Sequence, residues 1–168
     1  MPGKVIGTAL MYGFPGNPSR MQDCVIAPYK YAKTNTGNIA FGEPVAYDAT
    51  NKGVRKVGSS DTADVIIGIA VRKIGQPYAD NAEGWYYAPG DVVDVMLRGS
   101  ISVPVAVTTG IAARGQVYVC KGTGTQAAGD VVCQSAADTL APNNMKFATG
   151  DINATDKVAE VTIVERTI

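Results

Sequence analysis

The chain has 168 residues, with 15 basic and 15 acidic side chains and no histidine. Zero net charge leaves no basic field to draw in nucleic acid or an acidic membrane surface. Without histidine there is no Ser-His-Asp or Cys-His catalysis, no histidine metal ligand and no usual general base near neutral pH.

The length suits one domain, or one domain with an arm. Charged residues make up 18%, below the roughly 25% of an average globular chain. A neutral, charge-poor surface is poorly defended against association, so burial in an assembly and an ordinary weakly charged domain both remain open. The cysteines, Cys24, Cys120 and Cys133, form no C-x-x-C pair and read as free thiols. No apolar run nears the roughly 20 residues that span a bilayer, and the opening Met-Pro-Gly-Lys lacks a signal-peptide core.

Residues 1–22 read as an extended, irregular arm. Pro2, Pro15 and Pro18 interrupt ladder pairing, yet Leu10, Met11, Tyr12, Phe14 and Met21 are more apolar than a flexible linker allows. With Arg20 they are candidate contacts to a neighbouring subunit or another protein. Residues 23–168 read as one β domain. Asp23 to Lys33 is a short strand expected to break at Pro28. Phe41 to Tyr47 and Val54 to Val57 form a hairpin. Val65 to Val71 carries Val65, Ile67, Ile69 and Val71 on one face and Gly68 and Ala70 on the other, the pattern of a strand packed on both sides.

Gln76 to Pro89 is a long connection carrying Trp85, Tyr86 and Tyr87. Loops of this length are often functional, and Trp and Tyr concentrate at interface hot spots, so these three are also candidate contacts. Gly90 to Val107 is the organising stretch. It reads as two strands hinged at Gly99-Ser100, with Val93, Val95 and Leu97 on one face, then Ile101, Val103, Val105 and Val107. Further strands are expected at Gly115 to Cys120, Val131 to Gln134, Met145 to Ala148 and Val158 to Glu165, the last with Val161 and Ile163 opposed to Glu160 and Thr162. No long segment holds a helical period; Ser135 to Leu140 suits one short turn at most. A glycine, a strand, a polar turn and a return strand occur twice, from Gly42 and from Gly115.

No catalytic constellation assembles. Gly122-Thr-Gly124 follows a strand but opens no helix, so it reads as a hairpin turn and not a phosphate loop. Asp91 and Asp94 point to opposite faces of a strand. Asp61 with Asp64, and Asp151 with Asp156, lie in loops without a calcium-binding pattern and read as solvated turn residues. No metal or cofactor is expected.

The order of short blocks resembles the structural cement, or capsid decoration, proteins of tailed bacteriophages. The blocks are Gly42-Glu-Pro-Val, Ile67-Gly-Ile-Ala-Val71, Tyr87-Ala-Pro-Gly-Asp-Val92, Val95-Met-Leu-Arg-Gly99 with Ser102-Val-Pro-Val105, Gly115-Gln-Val-Tyr-Val119, Met145-Lys-Phe-Ala148 and Val158-Ala-Glu-Val-Thr-Ile163. The resemblance implies an all-β fold, a small barrel or jelly-roll-like sandwich. It also implies a non-enzymatic role on the outer surface of an icosahedral capsid, with the major capsid protein and further copies of the chain as partners, a trimer ahead of a dimer. Residues 1–37 lie outside the blocks. The rival reading is a carbohydrate- or receptor-binding β domain on a virion, with Trp85, Tyr86 and Tyr87 stacking on sugar rings.

Overall fold

Alternation of β-branched and polar residues, punctuated by glycine and proline, produces short strands joined by turns. The computed structural model describes residues 13–73, 86–107, 109–153 and 157–164, with backbone alone for 21–22 and 151–153. In chain order the strands are β1 (Pro18–Lys30), β2 (Ile39–Ala40), β3 (Pro44–Asp48), β4 (Gly53–Lys56), β5 (Ile66–Ala70), β6 (Tyr86–Tyr87), β7 (Val92–Pro104), β8 (Tyr118–Cys120), β9 (Val131–Val132), β10 (Thr139–Leu140), β11 (Met145–Asn153) and β12 (Val158–Ile163). A single 3₁₀ turn, Ala63–Val65, precedes β5.

Seven strands form one antiparallel sheet in the order β11-β12-β7-β5-β3-β4, with β1 also laid along β7. One face is covered by a small sheet, β10-β8-β9, and the other by the β2–β6 pair. The central sheet is therefore apolar on both faces, and every residue of β5 is buried. Gly68 is needed there because a Cβ would stand 2.2 Å from the Met96 carbonyl oxygen. Tyr31 bridges to Val54 at the far edge, so the sheet curls back towards β1. No ladder joins β1 to β4, and the fold is a layered, sandwich-like arrangement and not the closed barrel that was the other expectation.

The two runs expected around Gly99 are one strand with a half-turn in it. Before the glycine, Val93, Val95 and Leu97 enter the core beneath β2–β6; after it, Ile101, Val103 and Val105 enter the core beneath β8. The backbone reverses with them. Asp94 presents its carbonyl to Val71 N beyond β5, at 2.7 Å, whereas Ser102 exchanges both of its bonds with Gly16 and Asn17, at 2.7 and 2.9 Å. Gly99 has φ 124, a region that L side chains rarely occupy. The slip in β1 between Arg20 and Val25 loops over this point, and a Cβ on Gly99 would meet Cys24 Sγ at 2.9 Å.

Pro28 does not end its strand, contrary to expectation: β1 runs on to Lys30. Pro28 stands opposite Asp94, whose carbonyl points the other way, to Val71. In an antiparallel pair both partners then face away, so the missing N–H falls on the side away from β7, where proline is tolerated. The repeated glycine-strand pattern corresponds to two hairpins, β3–β4 and β8–β9. The Gly122–Gly124 stretch is the connection between β8 and β9, with no helix. All three cysteines are free thiols, and burial pushes the Cys120 thiol up to about 11.

Candidate functional site

The described part of the N-terminal segment is fastened to the body. Gly16 sits backbone to backbone on Gly42: a Cβ on Gly16 would lie 2.8 Å from Arg72 N, and one on Gly42 would lie 2.9 Å from Gly16 N and 2.8 Å from Pro104 Cδ. Both glycines have positive φ, 81° and 80°. Gly16 N donates to the Ser102 carbonyl at 2.7 Å and the Gly16 carbonyl accepts from Arg72 N at 2.8 Å. Ser19 Oγ donates to Glu160 Oε1 at 2.7 Å, and Arg20 reaches the same carboxylate through Nε at 2.9 Å and Nη2 at 3.3 Å. Residues 16–20 thus form a strap along the edge of β7 away from β12, with the Ser19 and Arg20 side chains reaching across β7 to Glu160.

Three stretches meet at the start of this strap. Phe14 is 64% exposed, and the Arg72 guanidinium lies over its ring at 4.6 Å, a cation–π contact. Arg72 follows β5 and is tied to Gly16. Tyr86, half-buried, stands opposite Ala40, two residues before Gly42, and Gly42 N donates to the Ala70 carbonyl at 2.8 Å. An exposed aromatic ring under a guanidinium combines residue types that dominate binding hot spots.

Of the other candidate contacts, Leu10, Met11, Tyr12 and Trp85 lie outside the described residues. Met21 has its backbone in β1 and its side chain outside the description. Tyr87 is a correction. It is 1% exposed, packs edge-on against Phe41 with ring centroids 5.3 Å apart, and donates from its hydroxyl to the Val71 carbonyl at 2.7 Å. Burial pushes that hydroxyl up to about 12. A ring so placed is core, and it cannot join a stacking platform for sugars. Arg20 keeps its side chain 67% exposed while its charge is engaged by Glu160.

Two buried acids are held in opposite ways. Asp61 is a buried anchor and not a solvated turn residue: Arg55 holds both its oxygens, at 2.6 and 2.7 Å, and Gly58 N donates at 2.8 Å. Burial alone would raise its pKa, but Arg55 and the Gly58 amide hold it below the usual carboxylate range. Glu43 has the opposite balance. Its Oε2 accepts from Ala40 N at 2.7 Å and Lys56 Nζ lies 3.0 Å from Oε1, yet burial outweighs both and raises its pKa, with Asp130 adding to the rise. Sequence reasoning missed Glu160 and Glu43, because an acid alternating with apolar residues or following a turn glycine has the pattern of a solvated side chain. Among the described residues no group of three or more acids or cysteines comes together as a metal site.

No curated protein matches the chain. The chain matches the solved structure described as the capsid of Myoviridae phage XM1 with a TM-score of 0.73 over 96% of each chain, at 18% identity, a likeness of fold. The family model described as structural cement protein (E217 gp24/Pam3 gp6) matches residues 2–164. Nearly the whole chain is covered, and on that ground it belongs to the phage structural cement proteins, structural components that stabilise the capsid.

Proposed function

We propose that the protein is a non-catalytic clamp on the outer face of the shell. It bridges neighbouring copies of the major capsid protein through the end where Phe14 and Arg72 meet, with Tyr86 a further candidate contact. The observation that carries this reading is the convergence itself: the exposed Phe14 ring, capped by Arg72, stands where the strap meets the end of β5. A homo-oligomer, a trimer ahead of a dimer, suits a clamp placed at a symmetry axis. Neutral net charge favours a protein surface over nucleic acid or an acidic membrane as the partner.

The energetics need no large single contact. A standard interface buries about 800 Å² per partner, and many copies placed by symmetry multiply a modest affinity. Aromatic and arginine anchors carry most of such an interface, which gives Phe14 and Arg72 the leading roles. The test is co-sedimentation with empty expanded shells, alongside the solution mass of the free protein. Saturation at a fixed ratio to the major capsid protein, lowered by Phe14→Ala with Arg72→Ala, supports the clamp. Absence of binding across salt concentrations overturns it.

A further inference from the structure

Glu160 sits where the strand pattern expects either a solvated acid or an apolar core residue, and it is neither. It lies on β12 between Ala159 and Val161, opposite Ser102 of β7, and is 3% exposed. The strap supplies its donors. Ser19 Oγ and Arg20 Nε share Oε1, and Arg20 Nη2 reaches Oε2. Arg20 itself remains 67% exposed, so the strap lies between the carboxylate and water.

This arrangement has a consequence for how the strap is held. With the strap in place the carboxylate has charge-assisted partners, roughly twice as strong as neutral ones. With the strap lifted the same carboxylate would be solvated and no charge would be stranded in the interior. An apolar residue at position 160 would gain only from permanent cover. Both states are thus tolerable, and the Glu160 contacts add a specific charged pair to the backbone bonds that seat the strap on β7. The strap in turn sets Phe14, because Gly16 is bonded on both sides, to Ser102 and to Arg72, and Arg72 covers the ring.

We infer that Glu160 is a positioning residue for capsid attachment: reached across β7 by Ser19 and Arg20, it is the socket that holds residues 16–20 against β7 and so fixes Phe14 in its place beside Arg72. The inference rests on the clamp reading above. Glu160→Gln preserves shape but removes the charge and turns an amide N–H₂ towards a donor. Amide hydrogen exchange should then quicken at Gly16, Ser102 and Arg72, whose N–H groups hold the strap, and stay unchanged at core strand amides such as Val161. Trypsin cleavage after Arg20 and the dissociation constant for expanded shells should each rise about tenfold, with the melting midpoint within a few degrees of wild type. Ser19→Ala, which removes one donor and leaves the acid, should move the same readouts less. Wild-type binding and exchange in Glu160→Gln would overturn the inference, as would faster exchange with unchanged binding. Failure of the wild-type protein itself to bind shells would instead remove the clamp reading, and the positioning role with it.

Discussion

The two faces of the central sheet solve the same burial problem differently. The face beneath β8 to β10 is filled mostly by aliphatic residues, Ile66, Ile69, Met96, Ile101, Val103 and Val161, with Phe147 the single aromatic among the described residues. The face beneath β2–β6 is filled around three rings, Tyr31, Phe41 and Tyr87, with Val93, Val95 and Leu97. The aromatic side has polar handles to satisfy. Tyr31 donates to the Gly37 carbonyl at 2.9 Å and Tyr87 to Val71 at 2.7 Å. The Tyr87 hydroxyl pins the backbone just before Arg72, which bonds the strap, so the aromatic side helps locate the contact end while the aliphatic side supplies bulk stability. β7 serves both, because the half-turn at Gly99 passes its side chains from one face to the other.

The comparison can be broken most strongly on the aliphatic side. Phe147→Ala should cost about 3–5 kcal/mol through lost transfer energy and an uncollapsed cavity, read by denaturant unfolding, with no special effect on shell binding among molecules that remain folded. A loss under 1 kcal/mol would mean that this face is loosely packed. Gly99→Ala comes next. It combines a φ of 124 with a Cβ 2.9 Å from Cys24 Sγ, and should cost about 2–3 kcal/mol while loosening both faces at once. Exchange rates that rise on one face only would show that the half-turn does not couple them.

Tyr87→Phe keeps the ring and strands the Val71 carbonyl, a smaller loss of about 1–2 kcal/mol. Its effect should appear in amide exchange around residues 70–72 and not in the β11–β12 ladder. Glu43→Gln tests a sign. The folded protein raises the Glu43 pKa, so the folded state holds its proton more firmly than the unfolded chain. The stability this contributes is present at acidic pH and is lost as pH rises from the ordinary carboxylate value through the raised one. Glu43→Gln, unable to ionise, should flatten that part of the pH–stability profile and be no less stable than wild type at neutral pH. A clear loss of stability at neutral pH would show that Lys56 and the Ala40 amide outweigh desolvation.

Period-two alternation made much of the sheet legible, with both halves of β7, β8, β11 and β12 falling where the apolar residues alternate; in β5 a bulge at Ile67 breaks the expected shared face, sending Ile67 to the aromatic-side core and Ile69 and Val71 to the aliphatic one. Its failures have particular causes. Pro28 reads as a break because sequence does not reveal which edge its missing N–H will face. Tyr87 reads as an interface residue because its type suits both an interface and a core, and only the neighbouring Phe41 ring and Val71 carbonyl decide. Glu160 alternates with Val161 like any solvated acid, and its role appears only when the strap, some 140 positions earlier, is laid along β7. The half-turn at Gly99 was legible as a hinge, since a glycine interrupts two apolar runs there, but its direction depends on β1 looping over it.

The most direct test of the account is an image of expanded capsid shells decorated with the protein, at a resolution that places β7 and the Phe14 side chain. The account predicts that the end carrying Phe14 and Arg72 faces the major capsid protein on the outside of the shell, with Ser19 and Arg20 held to Glu160. Decoration through the β8–β10 sheet, with Phe14 and Arg72 turned to solvent, would contradict it.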